Sequence, residues 1–130
     1  MNKIVVHWEN GEIGKGYSAD FSPVRPTFNL NTQDDPLCVE KISLNILKAV
    51  FFVKDFQGDR MHVDSHDFSK APSGEHHIII SFYDGEKFYG TSEAVHRDRP
   101  GFFIHPIDPD ANTIRAFVIN SFIESVILPE

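Results

Sequence analysis

Two arginine–proline pairs, Arg25-Pro26 and Arg99-Pro100, carry the most suggestive chemistry in this chain. A guanidinium is a planar fork that matches phosphate or carboxylate, and with Arg97 added, the pairs would grip an anionic ligand from two sides. The same residues also suit a structural role, with each arginine paired to an acid such as Asp20 or Asp98 while proline stiffens the turn. His62, Asp64, His66 and Asp67, with Glu75-His76-His77 downstream, are the only group of zinc-ligand types. They sit in a polar stretch where nothing preorganises them, so no metal and no cofactor is expected. Cys38 has no adjacent histidine and reads as a small buried side chain, not a nucleophile. Glu12 and Glu86 each follow a turn and should be exposed, which disfavours acid–base work. Phosphate loops, nucleophile elbows and zinc-protease helices are absent from the sequence. The reading is of a non-enzymatic protein.

These residues recur in pairs because the chain repeats itself. Lys3–Leu30 lies over His77–Ile104 at a constant offset, 85 − 11 = 74, and 8 of the 28 pairs are identical. Ordinary composition gives roughly two by chance. Asn10-Gly11-Glu12 falls on Asp84-Gly85-Glu86, Gly16 on Gly90 and Arg25-Pro26 on Arg99-Pro100. Beyond the third loop the offset becomes 118 − 42 = 76, which places Ile42 on Val118, Val50 on Val126 and Phe52 on Leu128. One small unit is written twice, as residues 1–53 and 77–130, with a polar linker over 54–76.

Each unit reads as five short strands. Ile4, Val6 and Trp8 alternate with Val5 and His7, the period of a strand with one face on a core. Asn10-Gly11 and Asp84-Gly85 predict hairpins with type I′ turns. Gly16 and Gly90 mark mid-strand bends of the kind that curl a sheet. Single helical turns are expected at Asn45-Ile46-Leu47 and Ser121-Phe122-Ile123, each before a final strand. Those final strands, Ala49–Val53 and Val126–Leu128, are apolar on both faces and need cover from outside their own unit. The expectation is an all-β fold: two five-stranded barrels related by a pseudo-twofold, meeting at an interface that includes Phe51, Val53 and Ile127. A homodimer is the alternative cover.

Composition bounds the partners. The 130 residues are 41% hydrophobic with a net charge of −7, and no segment is basic. Binding of phosphate backbones needs clustered Lys and Arg, so nucleic acid is disfavoured. The apolar runs are far shorter than the roughly 20 residues of a membrane span, and a single cysteine fits a reducing cytoplasm. A protein partner or self-association is the expected mode.

The order of hairpin, glycine-bent strand, Phe-x-Leu strand and helical turn resembles the Sm-like and SH3-like small barrels. Asp20 through Asn29-Leu30 resembles the first Sm motif, although Phe103 replaces the Asn in the second copy. That resemblance implies the runner-up function, a nucleic-acid or nucleotide binder using the Arg-Pro loops. Lys48–Phe56 and Gly101–Pro109 resemble a bacterial family of duplicated domains of unknown function, sometimes found beside PilZ-type signalling domains. This implies a bacterial interaction or assembly module with a signalling role. The PilZ pattern for cyclic di-GMP does not carry over: Arg97-Asp98-Arg99 has the wrong spacing, and Asp67–Pro72 ends in proline, not glycine.

Overall fold

The computed structural model describes residues 2–57 and 75–128. Among these residues ten strands form: β1 Asn2–Trp8, β2 Ile13–Ser18, β3 Thr27–Thr32, β4 Val39–Ser43 and β5 Leu47–Val53, then β6 His76–Phe82, β7 Lys87–Ser92, β8 Gly101–Pro106, β9 Thr113–Ile119 and β10 Ile123–Ile127. Three-residue 3-10 turns at Leu44–Ile46 and Asn120–Phe122 precede the last strand of each half. The fold is all-β, as the alternation predicts.

All strands join one antiparallel sheet in the order β10-β6-β7-β8-β9-β5-β1-β2-β3-β4. The sheet does not close. Subtracting five from each label of the second half turns 10-6-7-8-9 into 5-1-2-3-4, so the two halves repeat one strand order. They meet head to tail, by pairing of β5 with β9 through Ala49↔Val118, Val50↔Phe117 and Phe51↔Ala116. A twofold would pair equivalent strands. Here the fifth strand of one repeat takes the fourth strand of the other, which corrects the expected pseudo-twofold between closed barrels. The edge of β5 that closure would need is already occupied by β9.

This joint explains the doubly apolar strand. Val50 and Phe52 enter a core with Ile4, Val6, Phe28, Leu30 and Ile42, joined there by Phe117 and Ile119 of β9. Ala49, Phe51 and Val53 point the other way, into a core with Ile78, Ile80, Phe82, Phe102 and Val118. Each joint strand thus feeds both cores, and burying Phe51 or Val53 contributes roughly 1.5–3 kcal/mol. Phe56, in the segment expected to be a linker, joins the second core.

Local chemistry shapes both repeats alike. The hairpin turns are not type I′, because each has positive φ at one residue alone, Gly11 (φ 91°) and Gly85 (φ 90°). Gly11 N–H donates to Trp8 O and Trp8 N–H to Glu12 O, a three-residue loop ending on a left-handed glycine. Asn10 Oδ1 and Asp84 Oδ1 accept from the N–H two residues on, each at 3.0 Å, which makes the Asn/Asp-Gly pair an Asx turn instead. At Gly16 a Cβ would stand 2.2 Å from Asn31 O, and at Gly90 2.4 Å from His105 O. Only glycine permits this crossing of β2 over β3 and β7 over β8.

Candidate functional site

The joint is locked by a residue that sequence reasoning passed over. β1 and β5 slip register between His7 and Trp8, pairing His7↔Ala49 and Trp8↔Leu47, so Lys48 is the extra residue of a bulge. A bulge re-aims its side chain. Lys48 is only 4% exposed, and its Nζ donates to Asp84 Oδ2 and Glu86 Oε1, both at 2.8 Å, in the turn of the other repeat. The ammonium also lies 4.8 Å from the centre of the Phe82 ring. Burial alone would raise the Asp84 carboxyl, but the Lys48 hydrogen bond and charge, with the Glu86 and Asp84 N–H groups, hold it below its ordinary value. His7 is lowered by burial first and by Lys48 second, with Glu86 and Asp84 opposing. The imidazole packs edge-on against Phe51. The available signal was a charged residue of opposite sign at the equivalent position, 48 + 76 = 124, which is Glu124.

Arg115 was passed over too. Its guanidinium lies 4.5 Å from the Phe52 ring centre and 4.4 Å from that of Phe103, bridging the repeats by cation–π contact. Phe21 packs edge-on against Phe28, Phe52 and Phe117 in the same aromatic wall.

The expected anion site comes together only in part. Pro26 and Arg99-Pro100 do line one cavity of about 420 Å³, between the two 3-10 turns. Arg25 is exposed and does not line it. Arg97 Nη1 donates to Asn120 Oδ1 at 3.1 Å, and Asn120 Nδ2 donates to the carbonyls of His96 and Arg99, so these residues brace their own loop. Asp20 accepts from Asn29 N–H and Nδ2 and from Ser18 Oγ, instead of pairing with Arg25. The Asn29 backbone bond is the main reason its carboxyl is held low. A second cavity, about 370 Å³, is lined by Arg99, Arg115, His96 and His105, with Glu75 and Glu93 on the same wall.

The remaining candidates sort quickly. Cys38 is exposed, not buried: its backbone pairs with Asp35 and Thr32, leaving the thiol outside. Glu86 is held by Lys48, while Glu12 is exposed and has no cationic partner among the described residues, so the two glutamates share no site there. His62, Asp64, His66 and Asp67 lie outside the described residues; among those described, His/Cys/Asp/Glu form no metal-ligating group. No helix of the described residues is long and apolar enough to cross a membrane.

Of the expected interface residues, Phe51 and Val53 are buried within the chain, at the joint. Ile127 is not. Among the described residues nothing pairs with the outer edge of β10 or of β4, the two ends of the sheet. Ile127 (48% exposed) and Leu128 (59%) stand at one end and Val39 (54%) at the other. The architecture is therefore a repeat pair with one joint made and the matching half-joints open. A family model described as a family of unknown function, DUF6982, matches residues 1–129. The chain belongs to that family. No curated protein and no solved structure matches it.

Proposed function

We propose that the chain is a non-enzymatic interaction module that joins partners by strand addition at the open ends of its sheet. One observation carries this reading: β10 is the equivalent of β5, yet Ile127, and Leu128 just past the strand's end, are exposed where Phe51 and Phe52 are buried. An unpaired edge with apolar side chains is a template for another strand. Within this reading each repeat acts as a small barrel-like lobe, curled around its own core and completed by a neighbour's strand. A setting in bacterial signalling rests on the family resemblance alone.

The test is site-specific photo-crosslinking in cells from a photoreactive residue at Leu128. A discrete cross-linked protein that disappears with Ile127→Lys supports the reading. Absence of any cross-link, or cross-links indifferent to that substitution, overturns it.

A second reading, an anionic ligand such as a nucleotide, is favoured by Arg99 and Arg115 sharing one cavity wall. Its test is calorimetric titration with nucleotides: salt-sensitive binding lost in Arg99→Ala supports it, and absence of heat ends it.

A further inference from the structure

The open ends raise the question of what they accept, and the internal joint supplies the comparison. The β10–β6 pairing slips register between Ile123 and Ser125, so Glu124 is the bulge residue there, as Lys48 is in β5. The turn that would face it in a second copy is Asn10-Gly11-Glu12, equivalent to Asp84-Gly85-Glu86. A second copy joined at this end would therefore bury Glu124 against Glu12, in the place where Lys48 meets Asp84 and Glu86. The other positions agree. Carrying the β5–β9 register across by 76 sets Val126 opposite Lys41 and Ile127 opposite Glu40, where the joint has Val50 with Phe117 and Phe51 with Ala116. Phe117 faces the first core and Ala49 the second, so Lys41, standing in for Phe117, projects away from Glu124 and does not neutralise it. Glu124 and Glu12 are both exposed, and neither has a cationic partner among the described residues.

We infer that the bulge residue is a charge key: Lys48 admits the acidic turn of its own chain, while Glu124 refuses a second copy and selects a partner strand flanked by a basic turn. This rests on the strand-addition reading above and specifies its partner. The occupant of the β10 edge is a β-strand with apolar residues opposite Val126 and Ile127, and with a Lys or Arg turn placed to meet Glu124. On this inference the two open ends of the sheet do not join into filaments, the usual outcome of a head-to-tail contact that does not close. A buried like-charge pair is a repulsive element that discriminates between otherwise similar partners.

The experiment is a charge-reversal square read by sedimentation velocity over a concentration series of the full chain. The wild type, with Glu124 facing Glu12, should sediment as a monomer. Glu124→Lys and Glu12→Lys each create an opposite-charge pair and should associate at least roughly tenfold more tightly, more weakly at high salt. The double reversal, Lys against Lys, should return to monomer. Circular dichroism on all four confirms that each is folded. A wild type that associates as tightly as the single variants, or single variants that stay monomeric, overturns the key. Neither outcome touches strand addition itself, which the cross-linking at Leu128 decides separately.

Discussion

Replacing Lys48 with Met asks how much the joint depends on charge. The substitution keeps most of the apolar stem and removes both 2.8 Å bonds and the contact with the Phe82 ring. Hydrogen bonds to charged groups contribute about 1.5–3 kcal/mol each when both partners are buried. Here the lysine is buried but the side chains of Asp84 and Glu86 are 42% and 56% exposed, so they rehydrate once released. That screening, and relief of the ammonium's desolvation, bring the expected net loss to about 1–2 kcal/mol. For a chain of this length it corresponds to a fall in Tm of about 4 °C per kcal/mol. Lys48→Glu should cost more, about 3 kcal/mol or above, because it buries a carboxylate against two acids. Urea denaturation measures both, and a cycle with Asp84→Asn should give a coupling of about 1 kcal/mol. Acid dependence follows with a definite sign. The folded Asp84 pKa is depressed, so its stabilisation is complete above the ordinary carboxylate range and is lost as pH falls through the folded value. Lys48→Met should flatten that acid limb. If Lys48→Met is as stable as the wild type and the coupling is zero, the two repeats are held by apolar burial alone and the electrostatic argument fails.

Gly16→Ala should destabilise by about 2 kcal/mol or more in denaturant melts, because its Cβ would sit 2.2 Å from Asn31 O. Arg115→Ala removes the guanidinium between Phe52 and Phe103 and should cost about 1–2 kcal/mol by the same assay. His7 titrates below its ordinary 6.5, so stability should decline as pH falls below that value and level off once the folded imidazole is protonated; His7→Gln should remove this limb from pH-dependent melts. Ile127→Lys, at the free edge, should leave stability within about 0.5 kcal/mol while abolishing cross-linking from Leu128.

Much of the fold was legible because it is written in local pattern. Period-two alternation places Ile4 and Val6 together in one core, and the 74-residue offset pairs the hairpins and glycines; that Val5, on the face expected to be open, is buried in the other core was not legible. The turn type was misread because Asn-Gly serves two hairpins. A left-handed Gly11 after an Asx turn needs positive φ at one residue only. Cys38 was misread because a small side chain carries no periodic signal, and its loop leaves it outside. Lys48 went unnoticed because a lysine beside an apolar run looks like a strand end, and only the bulge turns it inward.

The repeat and its strands belong to the sequence alone: alternation and turn chemistry act between neighbours in the chain, and duplication copies them. Which strand would cover the doubly apolar Ala49–Val53 was decided by tertiary structure. Its partner, Thr113–Ile119, lies at least 113 − 53 = 60 residues away; either a twofold or a head-to-tail contact would have satisfied the same hydrophobic pattern. Burial is non-directional and cannot choose between them. In the structure the head-to-tail contact is the one formed, with its strand register, a bulge and a lysine facing two carboxylates at the joint and the opposite ends of the sheet open.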